Sequence, residues 1–218
     1  MEREHGKETL ILGKRNILFI GPEGSGKSTV AKKLAEETGR PYITTGGIIR
    51  DLADNDPGPL GDECRDMIIN KAYLDGGTLI QLLIDRLSKN DTKNGFVLDG
   101  GLRTLPETLV FQDMLEEAGR AYPLTIVYLK ISEELSFKRL KARGRKDDTL
   151  EGIKSRLSKF NFQLGGRLNQ VLNEPTWELI IIDGSLAEEK VYEDVFSTLL
   201  SSFIPRLSTP EDKQLVAV

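Results

Sequence analysis

The nine residues 21–29 constrain the fold of this chain more strongly than any other stretch. They read GPEGSGKST and match the motif G-x-x-x-x-G-K-[ST]. The apolar run 17–20 before them predicts a buried strand, and Val30 and Leu34 after them share one face of a helix. Strand, glycine-rich turn and helix are the context in which this motif binds phosphate. The sequence therefore predicts a phosphate-binding loop and disfavours the alternative, an ordinary turn with a solvated lysine.

The chemistry of such a loop assigns roles to its residues. Glycines let backbone N–H groups converge on phosphate oxygens, and the following helix N-terminus adds partial positive charge. We expect Lys27 to reach the β- and γ-phosphates of a nucleotide and the Ser28 hydroxyl to ligate Mg²⁺. The residues predicted to bind nucleotide in this loop are Gly24, Ser25, Gly26, Lys27, Ser28 and Thr29.

Composition excludes several classes of protein. The 218 residues carry 30 basic and 34 acidic side chains, a formal net charge of -4 that argues against general affinity for nucleic acid or membrane surfaces. One cysteine, Cys64, rules out an intrachain disulfide and a zinc site built from cysteines. The charged N-terminus lacks the pattern of a signal peptide, and no apolar run approaches the ~20 residues that span a bilayer. We expect a cytoplasmic monomer.

Strand and helix patterns alternate along the chain. Apolar runs predict strands at about 15–20, 41–44, 95–99, 124–129 and 179–182, with helices between them. Alternation of this kind predicts an α/β protein, a three-layer P-loop fold whose five-stranded parallel sheet binds ligands at the carboxyl ends of its strands. We expect a single domain over 1–218 with a frayed tail at 205–218.

Local signals also predict where several helices begin and end. Capping-box spacing places one helix start at Thr104 with Glu107 and another at Asp148 with Glu151. Periodic leucines from Leu79 predict a helix that runs to about residue 90, and further helices are expected over 60–71 and about 133–143.

Polar residues that directly follow the strands are the candidates for chemistry. Asp99 ends an apolar strand where a triphosphate is expected, and a carboxylate there suits the water shell of Mg²⁺. The alternative for Asp99 is a helix cap or turn former. Arg50 and Arg103 each follow a glycine pair in a strand-to-helix turn, where a guanidinium can bind a phosphate monoester bidentately. Either arginine alone would more often be solvated.

A second group of basic residues follows the fourth strand. It consists of Arg139, Arg143, Arg145 and Lys146, with Arg156 one helix further on. Like charges four residues apart on a helix repel slightly, which suggests that a polyanion compensates them. Phosphoryl transfer uses such cations because its transition state spreads negative charge over the equatorial oxygens. The alternative is a solvated helix end.

Taken together, these pieces resemble the adenylate kinases and their relatives among the nucleoside monophosphate kinases. The resemblance runs from about Asn16 to Val195 and rests on residues 21–29, Thr45-Gly46 with Arg50, 95–104, Arg139 with Arg143, 145–148, and Arg156-Leu157. It implies in-line phosphoryl transfer from Mg-ATP to AMP to give two ADP. It also implies a helical acceptor-binding segment at about 45–75 and a short lid at about 140–148 that holds no zinc.

The resemblance implies a role for each residue that matches a family motif. The cations that would act on the transferred phosphoryl group are Lys27, Arg103, Arg143, Arg145 and Arg156. Arg50 would hold the acceptor phosphate with Arg103, while Thr45 and the backbone around Leu74 would contact the acceptor nucleoside. Arg139 would stack on the donor base, and Ser28 and Asp99 would hold Mg²⁺ and its waters.

Three positions depart from the family pattern. Gly47 stands where the family has aspartate, Gly100-Gly101-Leu102-Arg103 replaces Gly-Phe-Pro-Arg, and Glu107 replaces a glutamine. These departures leave two alternatives open besides the AMP kinase. One is a kinase for another nucleoside monophosphate, and the other is a catalytically weakened relative that binds nucleotide as a scaffold or sensor.

Glu107 carries the first of these alternatives. A glutamine can donate to N1 of adenine and accept from its 6-amino group, whereas an ionised glutamate only accepts. Guanine presents two donors on that edge, at N1 and N2, which a carboxylate can accept. GMP is therefore the first alternative acceptor, unless Glu107 serves only to cap the helix that begins at Thr104.

Overall fold

The computed structural model describes residues 12–70, 76–144 and 148–202. Its strands are β1 (Asn16–Ile20), β2 (Tyr42–Thr44), β3 (Val97–Asp99), β4 (Leu124–Lys130) and β5 (Trp177–Asp183). The helices in the first two ranges are α1 (Lys27–Thr38), α2 (Thr45–Asn55), α3 (Pro59–Asn70), α4 (Gly76–Leu87), α5 (Leu105–Glu117) and α6 (Glu133–Arg143). The last range holds α7 (Leu150–Asn173) and α8 (Glu188–Ser201).

The five strands form one parallel sheet in the order β2-β3-β1-β4-β5. Helices cover both faces because successive side chains of a strand point to opposite sides. Leu18 and Ile126 pack with α4, α5 and α7 on one face, while Phe19 and Val127 pack with α1 and α8 on the other. The predicted three-layer α/β fold with five parallel strands is confirmed.

The strand that leads into the phosphate loop, β1, lies at the centre of the sheet. β1 lies between β3 and β4, and its register pairs Phe19 with Asp99 and Ile20 with Tyr128. On the other side of β3, Thr44 pairs with Asp99. The carboxyl ends of β1, β2 and β3 therefore meet at one edge, where the polar residues that follow them come together.

Most predicted helix boundaries agree with the structure, and two are wrong. The Thr104 side chain accepts from the Glu107 N–H at the start of α5, as the capping spacing predicted. The second capping box is wrong, because Thr149 caps α7 by accepting from the Gly152 N–H, and Asp148 binds arginines instead. The helix expected to reach about residue 90 ends at Leu87, and a 3-10 turn over Asn90–Thr92 follows.

Some predictions fall outside the described residues. They are those for Leu74 and Arg145, the end of the 60–71 helix, parts of the acceptor-binding segment and of the lid, and the tail at 205–218. Of the helices that the structure describes, none is long and apolar enough to cross a bilayer.

Candidate nucleotide and phosphoryl-transfer site

The phosphate loop turns sharply between β1 and α1, and glycine is required where it does. Gly21 has a φ of 154°, and a Cβ there would lie 2.8 Å from the Leu129 carbonyl oxygen. Gly24 has a φ of 83°, and its Cβ would approach the Ser136 carbonyl oxygen to 3.1 Å. The Ser136 hydroxyl of α6 donates to the Glu23 carbonyl. The loop is thus pressed between β4 and α6, and side chains at these positions would displace it.

Lys27, the first residue of α1, lies among charges that come from three other parts of the chain. Its ammonium group donates to the Pro22 carbonyl at 3.3 Å, across the loop. Burial lowers the pKa of Lys27, the carboxylates of Asp99 and Glu23 oppose that shift, and the guanidinium groups of Arg103 and Arg143 add to it. Lys27 therefore lies within the electrostatic influence of one arginine from the turn after β3 and one from the end of α6.

Arg139 closes one side of a cleft beside the loop. Its guanidinium donates to the carbonyls of Gly24 at 3.1 Å, Gly184 at 2.9 Å and Ser185 at 3.3 Å, so it joins the phosphate loop to the turn after β5. The cleft has a volume of about 280 Å³ and is also lined by Leu186 and Val191. A flat cation held by three carbonyls next to apolar side chains suits the face of a base.

Asp99 lies at the carboxyl end of β3 with its side chain buried. The Tyr42 hydroxyl donates to its Oδ2 at 2.7 Å, whereas its Oδ1 is sealed from solvent and has no hydrogen-bond partner among the residues that the structure describes. Burial and the hydrogen bond to Asp99 raise the pKa of Tyr42, while the Ser28 hydroxyl lowers it. Ser28, Tyr42 and Asp99 therefore form one polar group at the start of α1.

This polar group fits a hydrated Mg²⁺. A buried carboxylate oxygen without a partner is costly unless it accepts a hydrogen bond or binds a cation, and Asp99 Oδ1 is such an atom. Mg²⁺ retains several waters and uses only one or two protein oxygens, so a carboxylate and a serine hydroxyl suffice. Gly47 has no side chain and so adds no carboxylate here. It lies at the start of α2, where its N–H donates to the Thr44 hydroxyl at 2.8 Å.

The residues expected to bind the acceptor lie on the β2 and β3 side of the loop. Thr45 is buried in the first turn of α2, and the Arg50 guanidinium returns over Gly46, where a Cβ would lie 3.3 Å from its Nη1. Arg103 is exposed, and its Nε donates to the Gly100 carbonyl at 3.1 Å. Two guanidinium groups thus flank the end of β3.

Glu107 is engaged at the start of α5. Its Oε2 accepts from the Arg103 N–H at 2.8 Å, and its Oε1 accepts from the Thr104 hydroxyl at 3.1 Å. These contacts fulfil the capping role that the sequence left open for this residue. A carboxylate has about four acceptor sites, so two remain for a ligand.

The turn between β3 and α5 contains a strained residue. Leu102 has a φ of 51°, in the left-handed region that costs an ordinary residue about 1–2 kcal/mol. Its side chain is buried in the core beside Leu98 and Phe111, and burial of a leucine is worth about 1.5–3 kcal/mol. The burial offsets the strain, and no peptide bond in the described ranges is cis.

Arg143 and Arg156 are tied together by two carboxylates. Arg143 binds the buried Asp148 side chain bidentately, at 2.9 and 2.8 Å, and the Arg156 Nη2 reaches the same carboxylate at 2.7 Å. Glu23 of the phosphate loop lies 2.9 Å from the Arg156 Nε and 3.7 Å from an Arg143 nitrogen. Both arginines are thereby held next to the phosphate loop.

Known proteins resemble the chain over most of its length. The family described as "AAA domain" matches residues 20–154. An adenylate kinase of Mycobacterium leprae (strain Br4923) is 35% identical over 164 residues, which cover 72% of this chain and 86% of that protein. An adenylate kinase of Mycolicibacterium paratuberculosis (strain ATCC BAA-968 / K-10) is 40% identical over 147 residues, or 65% of this chain and 77% of that protein.

The chain belongs to the adenylate kinase family. The resemblance predicted from the sequence motifs is thereby confirmed, and the chain is a P-loop kinase of this family. In this family member Asp99 pairs with Phe19 of the strand that enters the phosphate loop, and Arg143 lies 3.7 Å from Glu23 of that loop. Arg139 and Arg156 also lie beside the phosphate loop.

Sequence analysis missed several residues at the site of this adenylate kinase family member. The phosphate-loop motif leaves the position of Glu23 unspecified, and the spacing of Asp148 predicts a helix cap and not a ligand of arginines. Tyr42 gave no signal, because only the pairing of β2 with β3 brings its hydroxyl to Asp99. No motif singles out Arg167, which is buried in α7.

Proposed function

We propose that the protein transfers the γ-phosphoryl group of Mg-ATP to AMP and so produces two ADP. The observation that carries this proposal is the placement of two arginines on either side of the phosphate loop: Arg143 lies 3.7 Å from the Glu23 carboxylate of that loop, and Arg103 donates to the Gly100 carbonyl in the turn after β3. One of these arginines comes from the acceptor side and the other from the lid side. Such a set of cations around a phosphate loop suits a phosphoryl group that passes between two anionic substrates.

On the donor side, the phosphate loop and Lys27 would bind the triphosphate, with Ser25, Thr29 and the backbone of Gly24 and Gly26. The backbone N–H groups at the start of α1 point toward this space and carry the partial positive charge of a helix N-terminus. Arg139 would lie against the donor base in the cleft of about 280 Å³. This arrangement would fix the orientation of the leaving group.

On the acceptor side, Arg50 and Arg103 would hold the AMP phosphate. A guanidinium presents two parallel N–H donors to a phosphate, so two of them restrict its rotation as well as its position. Thr45 would contact the nucleoside at the start of α2. Holding both substrates in line converts a bimolecular step into an effectively unimolecular one, which lowers the barrier to transfer.

Arg143 and Arg156 would move from carboxylates to the transferring phosphoryl group, where Arg145 of the lid would join them. In the structure the first two bind Glu23 and Asp148. When substrates are bound, their guanidinium groups would stabilise the charge that spreads over the equatorial oxygens. Mg²⁺, held by Ser28 and the water shell beside Asp99, would supply charge neutralisation between the donor phosphates.

The test is a coupled phosphotransfer assay of the purified chain with Mg-ATP and each of AMP, GMP, CMP and UMP. We expect the highest kcat/KM with AMP. Lys27→Ala and Arg103→Ala are expected to lose at least about a hundredfold in kcat without loss of fold, because each removes a positioning charge and no core packing. Near-wild-type turnover in both variants would refute the kinase mechanism.

Two further outcomes would change the proposal in specific ways. A higher kcat/KM for GMP than for AMP would favour the alternative acceptor that Glu107 suggests. ATP binding without transfer to any monophosphate would favour the scaffold or sensor, with Gly47 as the cause. A monomeric state and a cytoplasmic location stay predictions, which sedimentation and fractionation would test.

A further inference from the structure

Arg167 is a buried ionisable residue that the proposed reaction leaves unused. It lies in α7 and only 3% of it is exposed. Among the residues that the structure describes, its guanidinium has no hydrogen-bond or ion-pair partner, and its Nε is sealed from solvent. Its one specific contact is with the Phe160 ring, whose centroid lies 5.5 Å from Cζ. A buried charge of this kind is costly unless it binds something.

The packing of α7 against α5 shows what Arg167 faces. Gln163, one turn earlier on the same side of α7, accepts from the Leu105 N–H at 3.2 Å. A Cβ on Gly166 would lie 3.4 Å from a methyl carbon of Leu105. The side of α7 that carries Arg167 therefore packs against the first turn of α5, which is the turn that holds Glu107.

The electrostatics of Arg167 agree with this placement. Burial lowers its pKa to about 10, the negative charge of Glu107 opposes that shift, and Arg103 adds to it. Arg167 thus lies within the field of both Glu107 and Arg103 without forming a hydrogen bond to either. The unused donors of the buried Arg167 and the free acceptor sites of the half-buried Glu107 therefore lie on the same side of the α5–α7 contact, near the acceptor-phosphate arginine.

Arg167 can supply the hydrogen-bond donor that Glu107 lacks for the recognition of adenine. A carboxylate accepts from the 6-amino group of adenine but cannot donate to N1. A guanidinium only donates, and Arg167 has donors to spare. A carboxylate and a guanidinium side by side present the same acceptor and donor that a single amide presents, and their charges cancel.

We propose that Arg167 and Glu107 together recognise the acceptor base, with Arg167 donating to N1 of adenine and Glu107 accepting from its 6-amino group. This inference rests on the proposed transfer to AMP and adds to it the residue that reads the base. A site with buried donors and acceptors discriminates strongly, because a wrong base leaves them unpaired. Guanine presents an acceptor at position 6 and donors at N1 and N2, so its order of groups is reversed.

The experiment compares AMP with 1-deaza-AMP, which lacks only the N1 acceptor. We expect wild type to prefer AMP by about 10- to 100-fold in kcat/KM, the usual worth of a hydrogen bond to a charged group. Arg167→Met keeps an unbranched apolar stem and removes the donors, and it is expected to abolish this preference with an unchanged KM for ATP. Arg40→Met is the matched control, because Arg40 is also buried and lies outside the site.

A second-site change distinguishes recognition from structural support. Glu107→Gln in the Arg167→Met background should restore part of the preference for AMP over 1-deaza-AMP, because a glutamine donates to N1 by itself. A merely structural Arg167 would not be rescued in this way. If Arg167→Met fails to fold, Arg167→Lys, which keeps a donor on a shorter reach, is expected to retain a reduced preference.

The outcomes separate this inference from the function on which it rests. Equal kcat/KM for AMP and 1-deaza-AMP in wild type would overturn the inference, as would an equal loss for both acceptors in Arg167→Met. Absence of transfer to AMP in wild type would refute the proposed function instead. In that case calorimetric titration with AMP and 1-deaza-AMP still decides the role of Arg167, because equal affinities would overturn it and weaker binding of 1-deaza-AMP would support it.

Discussion

Glu23→Gln tests whether the phosphate loop restrains the arginines that act in transfer. The carboxylate of Glu23 lies 2.9 Å from the Arg156 Nε and 3.7 Å from an Arg143 nitrogen. These contacts must break or shift before both guanidinium groups reach a phosphoryl group. The carboxylate is also an anion in a loop that we expect to bind a triphosphate. Its neutralisation should therefore favour nucleotide binding.

The solvent exposure of Glu23 and of its arginine partners sets the size of the expected change in ATP affinity. The Glu23 side chain is 42% exposed and that of Arg156 is 26% exposed. Ion pairs with this much solvent contact are worth about 0.2–1 kcal/mol each. Two such pairs sum to about 0.4–2 kcal/mol, and about 1 kcal/mol corresponds to about a fivefold change in an equilibrium constant. We expect Glu23→Gln to lower the Kd for ATP by this factor and to destabilise the free protein by less than about 1 kcal/mol.

Calorimetric titration with ATP at low and high salt measures the prediction. The gain in ATP affinity should shrink as ionic strength rises, because the Debye length falls from about 30 Å at 0.01 M to about 3 Å at 1 M. Glu36→Gln is the matched control, since it makes the same charge change on an exposed residue of α1. Weaker or unchanged ATP binding in Glu23→Gln at low salt, relative to this control, would refute the restraint.

Three further substitutions test the polar groups around the loop. Burial lowers the pKa of Lys27 below 10.5, so its protonation opposes folding below the lowered pKa and ceases to do so as pH rises toward 10.5. Lys27→Met should therefore have a higher Tm than wild type near pH 7, and this difference in Tm should vanish in alkaline melts. A difference in Tm that does not depend on pH would contradict this. Gly47→Asp should lower the Mg²⁺ concentration for half-maximal rate, and an unmoved Mg²⁺ dependence would refute the idea. The same substitution should cost about 1 kcal/mol of stability in urea titration, because its Cβ would lie 2.8 Å from the capping hydroxyl of Thr44. Gly47→Asn should show the loss of stability without the Mg²⁺ shift. Tyr42→Phe leaves Asp99 Oδ2 without its donor and should cost about 1–3 kcal/mol in the same titration, so unchanged stability would show that the hydrogen bond is replaced by solvent.

The amino-acid sequence alone determined the order of strands and helices, the phosphate loop and the family. These features follow from local chemistry: the apolar run before Gly21, the glycines with positive φ in the loop, and the cap at Thr104 with Glu107. Residues close in sequence interact with the same geometry wherever the segment lies in the fold. The motifs of the family are spaced along such segments, so they could be found without coordinates.

Only the tertiary structure decided which side chains meet across the site. Tyr42 reaches Asp99 because β2 pairs with β3, and Arg167 faces the turn of Glu107 because α7 packs on α5. Asp148 has the spacing of a helix cap, yet the nearby guanidinium groups of Arg143 and Arg156 bind it, and the cap falls to Thr149. The sequence is silent on such choices because they depend on strand register and helix packing, which bring together residues 57 positions apart, as in Tyr42 and Asp99.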